Sequence, residues 1–352
     1  MKYTILAACI LTLNLNAFSQ KEFFKSQQVY EQSHLKSFYS SVAIEGNTVY
    51  FLANDYTLYA YDKSTGQLKW KSYTSYKTSV PPFVGDDKIY VGHYEDRNES
   101  TAVLDIKTGS VLKKLPVGPL QSKPVLKDGV LFGTAIYEGG CLFAYDTRKD
   151  TVLWWRFLAH GVSHQPDFFE DEIRANAEAN NWVRVNYNGQ LLDTTCKEKA
   201  DIFVRDIPCI LNYSALTHDR QEINGKFASA IYGKDEPEVE PKLLTTSTNS
   251  FILHNGMLSI IANKRKIKNT VDLNSLSDSI TGNEWGLNQL LQANDKQVSL
   301  IHQERFIIYD FKTKKLVKLL DLTNWEPYSA LINENKLWLI SKKDGLLYGL
   351  QL

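Results

Sequence analysis

Short apolar runs broken by polar turns dominate this chain. Between residues 41 and 72 they lay out four strands in succession. Ser41 to Ile44 is the first apolar run, and Glu45-Gly46-Asn47 turns the chain. Thr48 to Ala53 is the second run, Asn54-Asp55 the next turn, and Thr57 to Tyr61 the third run. Asp62 to Gly66 makes a tight turn into a fourth strand, Gln67 to Ser72. Four strands joined by turns this short predict an antiparallel meander. Similar units start near Pro82, Pro124, Pro166, Phe251, Leu290 and Tyr328, each with an Asn, Asp or Gly turn before an apolar strand. That makes seven units.

The third strand and its turn recur as a phrase. Ala60-Tyr-Asp62-Lys-Ser-Thr65-Gly66 is followed by Val103-Leu-Asp105-Ile-Lys-Thr108-Gly109, by Ala144-Tyr-Asp146-Thr-Arg-Lys-Asp150 and by Ile308-Tyr-Asp310-Phe-Lys-Thr313-Lys314. The aspartates at 62, 105 and 146 are 43 and 41 residues apart. A period of this size belongs to solenoids, propellers and arrays. A single meander cannot bury both of its faces, but blades packed around an axis bury them against their neighbours. The expected fold is all-β: a β-propeller of four-stranded antiparallel blades, seven in number, with eight as the alternative. The last unit ends at Leu352 with three strands. The strand-like segment Gln27 to Gln32 is expected to supply the fourth and close the ring from the N-terminal side.

The rhythm fails between about 188 and 247, a stretch holding Cys196, Cys209 and the acidic run from Lys234 to Pro241. It reads as an insertion in the fourth blade or a degenerate eighth blade. A second long connection is expected from Lys264 to Gly286.

The phrase Ala60-x-Asp62-x-x-Thr65-Gly66-x-x-x-Trp70 resembles the repeat of the PQQ-like (quinoprotein-type) β-propeller superfamily. The resemblance implies that the Trp packs between blades and that the Asp and Gly set the turn. It assigns those roles to Asp62, Gly66, Trp70, Asp105, Gly109, Asp146, Trp154 and Asp310. Lys113 stands where the second Trp would be, and Lys149-Asp150 replaces the third Thr-Gly. Quinone-dependent members of the superfamily pair a Ca²⁺ site with an Asp base and often with adjacent cysteines. No Cys-Cys pair occurs here, and no acidic constellation matches that site. The expectation is therefore the non-enzymatic branch, with no cofactor, no metal and no catalytic residue. Similar propeller lipoproteins act as outer-membrane assembly scaffolds.

Charge and the first residues refine this picture. Lys plus Arg and Asp plus Glu both number 40, so no basic excess supports nucleic-acid binding. Residues 1–19 read as a secretory signal, with a Lys2 start, an apolar stretch and Ala17-Phe18-Ser19 before Gln20. The competing reading is a lipobox, Leu6-Ala7-Ala8-Cys9, with Cys9 acylated. Residues 20–352 are expected to form one domain. No later segment has the roughly 18 apolar residues of a membrane helix. The protein is placed in the periplasm or outside the cell, as a monomer. Of the cysteines beyond the leader, Cys196 and Cys209 are candidates for a disulfide, and Cys141 reads as a small buried hydrophobe.

The densest polar constellation is His160-Gly-Val-Ser-His164-Gln-Pro-Asp167. A His-x₃-His pair holds zinc when a helix aligns the two rings, but Gly161 and Pro166 predict a loop. His160, His164 and Asp167, with Trp182 at a nearby hairpin, are expected to contact a ligand or partner. That partner is expected to be another protein or an envelope ligand. Two other readings remain: an enzyme, quinone-dependent or otherwise, with its site at the channel mouth, and a lipid-anchored envelope-assembly or toxin-neutralising component.

Overall fold

The computed structural model describes residues 21–352 apart from 31–39, 79, 137–138, 160–165, 177–181, 193–241, 247, 255, 263–266 and 281–285. The described residues form seven antiparallel sheets, six of four strands and one of three. In chain order the blades span 41–73, 83–114, 125–159, 167–186, 242–272, 289–321 and 327–351, the last completed by residues 22–25. The first strands of blades five, six, seven, one and two touch their neighbours in turn. They therefore line the axis, and the fourth strands form the rim of a β-propeller. Residues 193–241, where an eighth blade would have to lie, are outside the described residues. Lys242–Thr245, within the span expected to be irregular, is the first strand of blade five. Likewise Ile267–Asp272, expected in a long connection, is that blade's rim strand.

Burial on both faces explains the apolar runs. Val49, Tyr50, Phe51 and Leu52 are all buried although successive side chains point to opposite faces. Tyr50, Leu52, Leu58 and Ala60 pack with Ile89, Val91, Ala102 and Leu104 of blade two. Val49 and Phe51 join a cluster with Trp338, Ile340 and Leu347 of blade seven. A blade is thus a shared wall between two cores.

The rim strands have a common irregularity. In all six complete sheets the register slips by one residue, placing Phe23, Lys69, Leu112, Leu153, Lys268 and Val317 as the extra residue of a β-bulge. The next residue, back in register, is Phe24, Trp70, Lys113, Trp154, Asn269 and Lys318 respectively. A bulge bends and twists an edge strand, which spoils it as a template for a further strand.

The closing strand differs from the expected segment. It is Glu22–Lys25, paired with Leu347–Gln351, and Gln27 to Tyr30 lie outside any strand. The reason is aromatic burial. Phe24 is 4% exposed, with ring centroids 5.1 Å from Trp338 and 5.3 Å from Tyr61. Phe23 meets Trp338 edge-on at 5.2 Å. Val29, the apolar residue of the expected segment, is 94% exposed. Burying a Phe side chain is worth roughly 1.5–3 kcal/mol, so the Phe-Phe pair takes the rim position. Ser26 fixes the exit of the strand: its N–H donates to the Leu347 carbonyl and its Oγ accepts from the Leu347 N–H, both at 2.9 Å.

The junction of blades five and six is held by a histidine. His302, buried, lies 2.6 Å from Asn288 Oδ1 through Nδ1 and 3.0 Å from Asn274 Oδ1 through Nε2. Burial pushes its pKa down to about 4, so the ring is neutral at pH 7.

Replacing Phe24 with Ala is expected to destabilise the protein by roughly 3–5 kcal/mol. Urea unfolding reads this as a lower midpoint, while Val29→Ala leaves the midpoint unchanged. Equal effects would show that ring closure does not rest on Phe24.

Candidate binding surfaces on the blade seams and rim

The repeated aspartates organise turns. Asp62 Oδ1 accepts the N–H groups of Ser64 and Thr65 at 3.0 and 2.9 Å. Asp105 accepts Lys107 and Thr108 at 3.0 and 2.8 Å, Asp146 accepts Arg148 and Lys149 at 3.0 and 2.9 Å, and Asp310 accepts Lys312 and Thr313 at 3.0 and 2.8 Å. These bonds favour the charged form, so all four carboxyls sit below their usual range. The Ser64 hydroxyl contributes most at Asp62, the Thr108 hydroxyl at Asp105, and backbone N–H groups at Asp146 and Asp310. The turn brings the fourth residue after each Asp to positive φ: 73° at Gly66, 72° at Gly109, 56° at Asp150 and 57° at Lys314.

That residue is the seat for the neighbouring rim strand. The Trp70 indole lies on Gly109 and donates through Nε1 to the Ile106 carbonyl at 3.1 Å. A Cβ on Gly109 would come within 2.4 Å of the Trp70 ring. Trp154 lies in the same way on Gly189 of blade four and donates to the Tyr187 carbonyl at 3.0 Å. Phe24, in the equivalent register position, lies over Gly66. Between blades two and three both members of the pair change together. Lys113 occupies the Trp position, and its Nζ is 2.7 Å from Asp150 Oδ1 and 2.8 Å from the Tyr145 hydroxyl. Asp150 stands where the turns of blades one and two have Gly66 and Gly109, so an ion pair replaces a ring on a glycine.

The candidate contact residues read from the sequence are spread out. His160 and His164 lie outside the described residues, as do Cys196 and Cys209. Asp167 opens the first strand of blade four, opposite Arg174. Trp182 opens the third strand, opposite Asn176. The two sit on different strands, two register positions apart along Glu172–Asn176, and the sheet does not bring them side by side. Cys141 is a buried free thiol, and burial pushes its pKa up to about 11.

Two features escaped the sequence reading. The first is the rim: Leu112, Leu153 and Val317 are 54%, 47% and 52% exposed, all at the bulge position. Trp155, Val111, Leu68 and Tyr73 are further exposed apolar side chains on the rim strands of blades one to three. Bulge register is a property of pairing, so single-strand alternation does not reveal it. The second is a buried ionic cluster in blade four, Glu172, Arg174 and Arg184. Its sequence signal is charge at alternate positions in otherwise apolar strands, Glu172-Ile-Arg174-Ala and Val183-Arg184-Val185. A cleft of about 800 Å³ also opens at the seam of blades seven and one, lined in part by Gln28, Tyr59, Tyr61 and Lys71. Among the described residues no three His, Cys, Asp or Glu side chains converge as metal ligands, and no helix is long and apolar enough to cross a membrane.

Repeated Asp turns, interlocked blades and a rim of fourth strands define a β-propeller. Residues 24–163 match a family model described as outer membrane protein assembly factor BamB. Among solved structures the chain is similar to BamB from Moraxella catarrhalis, at 12% identity over 89% of this chain and 82% of that one, with a TM-score of 0.48. It is also similar to the computationally designed Ika8 protein, at 14% identity over 95% of this chain and all (100%) of that one, with a TM-score of 0.51. The latter likeness bears on the fold alone. No curated protein matches the chain.

Matching of the second seam can be tested with a double-mutant cycle. Lys113→Trp alone and Asp150→Gly alone are each expected to lower Tm by a few degrees. The double variant, which restores a Trp on a Gly, is expected to melt above both singles. Additive losses would mean that the two positions are independent.

Proposed function

We propose that this protein is exported to the cell envelope and acts there as a non-enzymatic scaffold that binds a protein partner. Its contact surface is the rim of blades two and three. Residues 1–19 are a leader that is removed, and the remainder is one propeller domain with an insertion in the fourth blade. The observation that carries this reading is the apolar rim. Isolated exposed hydrophobics are ordinary on protein surfaces. Here they recur at the same bulge position of adjacent blades, Leu112 and Leu153, with Trp155 two residues further on. Grouped apolar and aromatic side chains of this kind are typical of interface cores. The bulges hinder strand addition at these edges, so recognition falls to side chains. The match of residues 24–163 to a family described as an outer membrane protein assembly factor supports an envelope setting.

A photo-crosslinking amino acid placed at Leu112 or Leu153 in growing cells is expected to trap one defined envelope protein. The same probe at Lys149, exposed on a turn, is expected to trap none. Adducts of similar yield at all three positions, or none at any, would remove the rim as a contact surface. Mass spectrometry of the mature protein is expected to find a start at Gln20. A diacylated Cys9 would replace this with the lipid-anchored form, and an intact Met1 in the cytoplasm would overturn export.

A further inference from the structure

Blade four breaks the packing rule of its neighbours. Cross-strand register makes Arg174 the counterpart of Tyr50, Tyr90, Phe132 and Trp338, and Arg184 the counterpart of Ala60, Val103 and Ala144. Where blades one, three and seven lay an aromatic over Ala or Gly, blade four pairs two guanidinium groups. Ile173, Ala175, Val183 and Val185 pack against blade three. By strand alternation Glu172, Arg174 and Arg184 project from the opposite face.

One carboxylate serves both arginines. Glu172 Oε1 accepts from Arg174, and Oε2 accepts from Arg184 Nε and Nη2 at 2.9 and 2.6 Å. Burial would raise the Glu172 pKa, but the Arg184 and Arg174 hydrogen bonds and charges outweigh it and hold the carboxyl below its usual range. The Arg174 guanidinium also stacks on the Phe169 ring, 4.1 Å from its centroid. Arg174 is 9% exposed, yet its Nη1 is buried without a hydrogen-bond partner. A buried donor left unsatisfied, above all on a charged group, is costly. The Arg184 side chain, 33% exposed, connects the cluster to solvent.

We propose that Arg174 and Arg184 form a binding site for a carboxylate, one oxygen taken by the free Arg174 Nη1 and the other by Arg184. The planar fork of a guanidinium matches the two oxygens of a carboxylate, and in the cluster each guanidinium already grips one oxygen of Glu172 through two nitrogens. The site is separate from the apolar rim of blades two and three and stands or falls independently of it. Two sources share this chemistry: a small organic acid, and an acidic side chain of a protein partner.

Calorimetric titration and thermal melts of the purified full chain test the site with sodium succinate, with a short Glu-containing peptide, and with the same peptide carrying Gln. Succinate or the Glu peptide is expected to bind and raise Tm, with chloride and the Gln peptide without effect. Arg184→Gln is expected to weaken binding at least tenfold. Arg184→Lys, which keeps the charge and loses the fork, is expected to fall between. Succinate binding without preference for the peptide identifies a small acid; tighter binding of the Glu peptide identifies a protein side chain. Equal binding by wild type and Arg184→Gln, equal response to chloride, or no binding would overturn the site. Circular dichroism and the melt of ligand-free Arg184→Gln distinguish loss of binding from loss of fold. Rim crosslinking at Leu112 is expected to be unchanged in that variant.

Discussion

A bulky side chain from one rim strand resting on a turn residue of the next blade is the contact on which this molecule is built. It requires three things at once. An Asp or Asn must hold the turn through two backbone N–H groups, as Asp62, Asp105 and Asn186 do. The seat residue must accept positive φ. Where the visiting side chain is an indole, the seat must lack a Cβ, because Trp70 and Trp154 already fill that space at Gly109 and Gly189. Relaxing the last condition changes the chemistry without changing the geometry. Asp150 keeps the positive φ but carries a side chain, and Lys113 meets it with an ion pair. The seam of blades seven and one obeys the same rule from the far end of the chain, with Phe24 on Gly66.

The bulge just before each visiting residue serves this contact too. Two rim residues face one partner there, so the strand twists and the residue after the bulge is re-aimed. In four blades the extra residue is left at the surface: Lys69 in blade one, and Leu112, Leu153 and Val317 in blades two, three and six. One backbone device thus provides a solvated edge in blade one and an apolar one in the other three, with the choice made by a single side chain.

How far the sequence was legible follows from the range of each interaction. The Asp turns are local, confined to five residues, and could be read directly from Asp62 to Gly66 and its copies. Most strands were legible because each blade is buried on both faces, which leaves continuous apolar runs; Lys242–Thr245 and Ile267–Asp272 were not, because they mix polar with apolar residues and carry no repeat phrase. Ring closure was legible in kind but not in place. The choice of Glu22–Lys25 over the segment after it depends on Trp338, more than 300 residues away. Within blade four, Asp167 and Trp182 drew notice as polar and aromatic residues near a loop. Arg174 and Arg184 did not, because their meaning comes from the aromatic and small residues they replace in other blades, and that comparison needs the register. His160 and His164 fall outside the described residues.

The completed seventh blade also joins the two ends of the described chain. Its outermost strand is Glu22–Lys25, the strand beside it is Leu347–Gln351, and the Gln351 N–H donates to the Lys21 carbonyl at 3.2 Å. Each end is thus the other's hydrogen-bonding partner, and peeling either strand away leaves the backbone of the other unpaired along that edge.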